Sequence, residues 1–334
     1  MHTVLVPLDG SALAMQALPH ARLVARQLEA RIVLVHVVLE TEIRSLLKQD
    51  VGLPAYTGIS YATVWQREEE IYARLRQQGE GYLHQIASDL EAEGFAVQVD
   101  VHFGAPAPCI IESASAHAAT LIVMATHGYG GLRRWALGSV TDRVVQSSPV
   151  PVLVVRGHRH VLRNPATPPQ LKRILVPLDG SALAEQALPL ACMLAEVAHA
   201  DLHLFQAVFP ISGALYPSEL LTSPDVEPEA LLMSICHNTT TYLEYVASTL
   251  HHPCYSMSVG TTVGHPAEAI LIEAKQQHAD LIVMVTHGYG GIQRWTLGSV
   301  ADKVLHATTT PILIIRAHTE EVTHALDDAI QTTA

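Results

Sequence analysis

The chain alternates short apolar runs with longer stretches in which apolar residues recur every three or four positions. An apolar run over residues 3–8 passes through Asp9-Gly10-Ser11 into a helical periodicity that reaches about Ala30. Ser11 is suited to cap that helix, and Pro19, inside the pattern, predicts a kink. A second strand is expected over Ile32–Val38, followed by a long irregular stretch and a helix ending near Gly94. Then come a strand at about Phe95–His102, a helix from about Pro106 to His117, and a strand at Leu121–Ala125. A glycine-rich loop, a helix from about Ser139 to Gln146 and a last strand at Val150–Val155 close the series. Strands separated by helical stretches of roughly 10–20 residues imply a parallel, doubly wound α/β sheet. The wholly apolar segments LIVMA and VPVLVV suit strands covered by helices on both faces.

The pattern then repeats. Residues 4–19 and 174–189 are identical at 14 of 16 positions, and residues 121–140 and 281–300 at 16 of 20. The offsets are 170 and 160, so the first copy carries about ten extra residues between the two blocks. This is a duplicated domain rather than a short solenoid repeat. Pro189 recurs where Pro19 stands, so the kink is expected twice. The segment GHRHVLRNPATPPQLK lacks apolar periodicity and reads as a linker. The expected boundaries are a first domain at 1–156, a linker at 157–171, a second domain at 172–317 and a C-terminal tail at 318–334.

Composition narrows the function. A length of 334 residues fits two domains, and 49% apolar with 16% charged residues fits compact folding. The net charge of −12 and the lack of any basic run argue against nucleic-acid or anionic-membrane binding. The start of the chain lacks the basic and long apolar regions of a signal peptide, and no run approaches the roughly 18–20 residues of a membrane span. Cys109, Cys192, Cys236 and Cys254 form no C-x-x-C pair and read as reduced and mostly buried. A cytoplasmic protein is expected.

In such sheets ligands bind beyond the carboxyl ends of the strands, where strand order reverses. The two most repeated segments, Pro7 to Ser11 and Thr126 to Ser139, are both turns at that edge. Gly128, Gly130 and Gly131 let backbone N–H groups approach a ligand, and Gly138-Ser139 opens a helix whose free N–H groups attract phosphate. Asp9 can accept hydrogen bonds from a ribose or an adenine amino group, and Arg133 and Arg134 can reach phosphates. Each feature also has a purely structural reading: the glycines as turn geometry, Asp9-Gly10-Ser11 as a turn and cap, the arginines as solvated side chains. Neither a P-loop nor G-x-G-x-x-G is present. The 20 histidines show no metal-ligand spacing, and His127 and His287 are expected to shape the glycine loop. Trp135 and Trp295 are expected to anchor it or to cover a ligand. The stretches Glu40–Gln66 and Pro210–Glu229 are expected to be loops at the ligand edge.

At these residues the chain resembles the universal stress protein family over nearly the whole of each copy. The family's nucleotide signature is Gly-x2-Gly-x9-Gly-Ser/Thr, and Gly128-x9-Gly138-Ser139 and Gly288-x9-Gly298-Ser299 match its latter three positions. The V-P-L-D-G-S opening and the Gly104-x-Pro106 and Gly264-x-Pro266 turns are also typical of the family. The resemblance implies a five-stranded parallel sheet in each copy, strand order 3-2-1-4-5, with helices on both faces. Carried over by position, Pro7, Asp9 and Val37 would line an adenine–ribose pocket, with Ala125, Gly128, Gly138, Ser139 and Val140 around the phosphates. The second copy offers Pro177, Asp179, Ala207, Val285, Gly288, Gly298, Ser299 and Val300. The signature's first glycine is Ala125 in one copy and Val285 in the other, and the branched valine crowds a nucleotide more. The second copy also has Gln206-Ala207 for His36-Val37 and Gln293 for Arg133.

The leading reading is a stress-response regulator that binds ATP, or ADP or AMP, with little turnover, a triphosphate bringing Mg with it. Its partners would be the nucleotide and an unidentified protein. The alternatives are a slow ATPase and a nucleotide-free dimerisation or interaction scaffold. Family members commonly pair through the last strand, which implies a pseudo-dimer of Val150–Val155 with Pro311–Ile315 in one chain and leaves a homodimer open.

Overall fold

The computed structural model describes residues 2–51, 61–127, 137–157, 169–209, 228–250, 252–286 and 298–317. The chain divides into two compact units, Met1–Pro169 and Gln170–Ala334. In the first, strands β1 (Thr3–Pro7), β2 (Arg31–Leu39), β3 (Val97–Gly104), β4 (Leu121–His127) and β5 (Val152–Gly157) alternate with helices. Their order across the sheet is β3-β2-β1-β4-β5, and every recorded pairing is parallel. The inner strands are apolar and fully buried, with Val4, Leu5, Val6, Ile32, Val33 and Leu34 at 0% exposure, as helices on both faces require.

The helices of the first unit are α1 (Leu18–Gln27), α2 (Glu40–Val51), α3 (Tyr61–Ala92), α4 (Pro106–Ala116) and α5 (Ser139–Ser147). The single kinked helix expected after β1 is a 3-10 turn, Ala14–Ala17, followed by α1, with Pro19 in its first turn. Proline is accommodated there because the N–H it lacks would have no helical partner. The irregular stretch expected from Glu40 also needs correction: α2 occupies it as far as Val51, and α3 begins at Tyr61. Ile43 is buried, and Leu46 and Leu47 follow at i+3 and i+4, half-buried. That spacing makes an amphipathic helix. The last strand begins two residues later than expected because Ser148 Oγ donates to the Val150 carbonyl at 2.7 Å, holding a turn there.

The second unit repeats the plan with β6 (Arg173–Pro177), α6 (Ala182–Glu185), α7 (Leu188–Ala198), β7 (Asp201–Val208), α8 (Pro228–Thr249), β8 (Met257–Val263), α9 (Pro266–Gln276), β9 (Leu281–Thr286), α10 (Ser299–Ala307) and β10 (Ile312–Arg316). Its strand order is β10-β9-β6-β7-β8, the same arrangement in reverse listing. Register is conserved between units: Val33 pairs with Gln98 and His203 with Ser258, positions related by the 170 and 160 offsets. Pro189 opens α7 as Pro19 opens α1. Of the stretch 210–229, residues 210–227 lie outside the described residues and Pro228 already begins α8. The four cysteines are free. Only Cys109 is buried and the other three are half-buried, fewer buried than expected.

Candidate functional site

Strand β1 lies between β2 and β4, so the chain leaves its carboxyl end toward β2 while β4 is reached by a crossover from the far edge. In sheets of this order ligands bind at such a reversal, beyond the carboxyl ends of the two strands, here β1 and β4. Asp9 stands at the first lip. Its Oδ1 accepts from Ser11 N at 2.9 Å, and Ser11 Oγ accepts from Ala14 N at 3.1 Å. Gly10 between them has φ +82°, a left-handed turn that glycine adopts without penalty. The second unit builds the same turn: Asp179 Oδ1 accepts from Ser181 N at 2.9 Å, and Gly180 has φ +82°.

The second lip is the start of α5. Gly138 is its N-cap in extended conformation, without a side chain to cover the first N–H groups. The Gly138 N–H donates to Thr126 Oγ1 at 3.1 Å, tying the helix start to the end of β4. Beyond it Ser139 is exposed and Val140 half-buried, so the helix start, whose first N–H groups have no side-chain cap among the described residues, carries a hydroxyl beside its dipole. Gly298 likewise caps α10 without a side chain, with Ser299 exposed and Val300 half-buried, while Thr286 Oγ1 donates to the Ile315 carbonyl at 3.5 Å.

Pro7, Asp9, Val37, Ala125, Gly138, Ser139 and Val140 therefore gather at the carboxyl edge of the first sheet. Pro177, Asp179, Ala207, Val285, Gly298, Ser299 and Val300 do so in the second. Ala125 and Val285 are half-buried near the ends of β4 and β9, in register with Val155 and Ile315. Gly128, Gly288, Gly130, Gly131, Arg133, Arg134, Trp135, His287 and Trp295 lie outside the described residues, as does the side chain of His127.

Two further residues, Tyr82 and His36, stand behind the first lip, and sequence reasoning passes over the tyrosine. Tyr82, on α3, donates from its hydroxyl to Met15 Sδ at 3.6 Å. Burial chiefly, then the Asp9 carboxylate, pushes its phenol up, while a hydrogen bond with the Gly10 backbone acts the other way. Its ring meets His36 edge-on with centroids 5.8 Å apart, and His36 Nδ1 sits 2.8 Å from the Leu8 carbonyl oxygen. A carbonyl only accepts, so Nδ1 carries the proton. Tyr242 stands in the matching place in the second unit, but its hydroxyl donates to Glu185 Oε1 at 2.7 Å. Burial first, then Glu185 and Asp179, holds that phenol well above its usual range. The signal was present: Tyr82-Leu83 and Tyr242-Leu243 recur at the 160 offset.

The sequence profile described as the universal stress protein family matches residues 1–156 and again 170–316. The chain belongs to the universal stress protein family. A universal stress protein of Mycolicibacterium smegmatis is 27% identical over 316 residues, covering 94% of this chain and 96% of its own. One from Synechocystis is 24% identical over 326 residues, covering 95% of this chain and all of its own. The crystal structure of a universal stress protein from Archaeoglobus fulgidus aligns over 94% of this chain and 98% of its own, with a TM-score of 0.63 and 21% identity, which speaks for the fold. Among the described residues of this universal stress protein, no helix is long and apolar enough to cross a membrane, and no group of His, Cys, Asp or Glu is arranged to hold a metal.

Proposed function

We propose that this universal stress protein binds an adenine nucleotide, ATP or its lower phosphates, at the carboxyl edge of the first sheet. It acts as a regulatory binder with little turnover, its occupancy altering affinity for a protein partner. The observation that carries this reading is the pairing of two lips: the Asp9-Gly10-Ser11 turn, and the uncapped start of α5 fixed by the Gly138–Thr126 hydrogen bond. The first offers a carboxylate for hydroxyl or amino donors. The second offers open N–H groups and Ser139 for phosphate oxygens. A glycine at 138 leaves that approach free of a side chain. Any Mg accompanying a triphosphate would be held by the phosphates and water, since no protein ligand set is built for it among the described residues.

The test is to purify the chain without added nucleotide, denature it and identify what is released. Bound ATP, ADP or AMP in near-stoichiometric amount is expected, falling sharply in an Asp9→Ala, Ser139→Ala double variant. A chain that releases nothing and gives no calorimetric heat with millimolar ATP overturns the reading in favour of a nucleotide-free scaffold. Phosphate release that persists above the double variant's would favour a slow ATPase.

A further inference from the structure

Met15 and Glu185 are one of only two differences between the repeated blocks 4–19 and 174–189. The structure brings both to the same spot, against the tyrosine hydroxyl that faces the turn after the first strand. In the first unit Tyr82 donates to a neutral thioether. In the second, Tyr242 donates to the Glu185 carboxylate at 2.7 Å, and Asp179 acts on the same hydroxyl. The crevice of the second unit thus has two carboxylates on its first lip where the first unit has one.

We propose that Glu185 sets the specificity of the second site, which takes an adenine nucleoside or nucleoside monophosphate and disfavours the triphosphate that suits the first. This rests on the nucleotide reading above. A phosphate monoester carries about two negative charges near neutral pH, and a triphosphate more. Each added charge on the ligand meets the extra carboxylate, so discrimination grows with phosphate count. The hydrogen bond from Tyr242 holds Glu185 in place without neutralising it. The turn that carries Glu185, α6, packs against β9, the strand that leads to the phosphate lip.

A second exchange bears on the uncharged part of the ligand: Gln206 replaces His36. Gln206 Oε1 is buried without a hydrogen-bond partner among the described residues, and its Nε2 lies 3.9 Å from the point a Cβ on Gly180 would occupy. An amide with an unused acceptor suits the hydroxyl or amino donors of a nucleoside. The second crevice has therefore lost affinity for phosphate while gaining a group for the uncharged part of the ligand.

The experiment is calorimetry of the full chain at low salt with ATP, AMP and adenosine, on the native protein and on Glu185→Gln and Met15→Glu variants. Glu185→Gln keeps an oxygen for the Tyr242 hydroxyl, and circular dichroism checks that the variants fold. In the native chain ATP is expected to fill one site, and AMP or adenosine two. Glu185→Gln should tighten ATP at the second site about tenfold and AMP less than about threefold, the difference shrinking as salt is added. Met15→Glu should weaken ATP at the first site by a similar factor. An unchanged ATP-to-AMP ratio at the second site of Glu185→Gln, with the first site still binding ATP, overturns the assignment. A native chain that binds no nucleotide at either site overturns the underlying reading, and this one with it.

Discussion

Glu273 Oε1 accepts a hydrogen bond from His203 Nε2 at 2.8 Å, joining α9 to β7 inside the second unit. Ser258 Oγ meets the other ring nitrogen, Nδ1, at 2.8 Å, and Gln277 Nε2 donates to Glu273 Oε1 at 2.9 Å. At the corresponding positions the first unit has Val33 for His203, Ser113 for Glu273 and Asp100 for Gly260. There Asp100 Oδ2 receives Ser113 Oγ at 2.7 Å, His102 Nε2 at 2.8 Å and His117 Nε2 at 3.0 Å. Each unit thus places an acid–imidazole pair under the same helix, but the acid moves from strand to helix and an imidazole from helix end to strand. Gly260 makes the exchange possible, since a Cβ there would lie 2.8 Å from His203 Nε2. The His203 side chain is only 4% exposed, so Glu273→Ala should leave its Nε2 without a partner in the interior while Nδ1 keeps Ser258. The expected loss is about 2–3 kcal/mol of stability. Denaturant unfolding of the full chain checks it, and a loss under about 0.5 kcal/mol would mean that water replaces the carboxylate.

The first unit's version has a pH signature. Burial alone would raise the Asp100 carboxyl, but the hydrogen bonds from Ser113, His102 and His117 outweigh it and hold the group below its usual value. A depressed folded-state value means that the unfolded chain binds the proton more readily. The contribution is therefore fully present above the ordinary carboxylate range and is lost as pH falls through the depressed value. Asp100→Asn should cost about 1–2 kcal/mol at pH 7 and make the acid limb of the first unit's stability curve shallower. Unfolding midpoints from pH 7 down to about pH 3 test both, and an acid limb of unchanged slope would count against the triad of donors.

The α/β plan was legible because its signals are local and doubled. LIVMA, VPVLVV and the two V-P-L-D-G-S turns announce buried parallel strands and a strand-to-helix exit without any knowledge of contacts. Periodicity runs straight through Pro19 and so predicts a kink, whereas proline's missing N–H makes it a better helix start. Segment α2 escaped notice because only Ile43, Leu46 and Leu47 mark its apolar face amid Glu, Thr, Arg and Ser. The residues behind the first lip were less accessible still. Tyr82 is brought to Met15 only by the packing of α3 over the sheet, and no spacing rule connects a tyrosine to a thioether or a carboxylate far away in sequence. Likewise the exchange of Asp100 for Glu273 shows no repeat signal, because the two acids occupy different elements.

Gly10 separates backbone demands from packing demands. Its φ of +82° is disfavoured for any residue with a Cβ, yet a Cβ built there would meet nothing within 4 Å. Gly10→Ala should therefore cost about 1 kcal/mol through the backbone alone. Relaxation toward negative φ would swing Asp9 away from Ser11 N, so nucleotide affinity should fall more than stability does. Thermal unfolding measured beside calorimetric titration decides this, and a variant that loses stability but keeps full affinity would show that Asp9 takes no part in binding.

Ala125 allows a complementary experiment. It is half-buried near the carboxyl end of β4, and its counterpart Val285 occupies the same register in a strand of equal regularity. A β-branched residue is favoured in a strand, so Ala125→Val should leave the fold as stable as before or slightly more so. The two added methyl groups would nevertheless crowd a nucleotide bound, as proposed, at the carboxyl end of β4. The expected result is about a tenfold loss of ATP affinity at the first site, near 1.4 kcal/mol, without loss of stability. Reversing the exchange with Val285→Ala should open the second site to all adenine ligands alike, unlike Glu185→Gln, whose effect should grow with phosphate charge. Steric and electrostatic control of the second crevice can therefore be told apart by titrating each variant with both AMP and ATP: parallel gains for the two ligands mark space, and diverging gains mark charge.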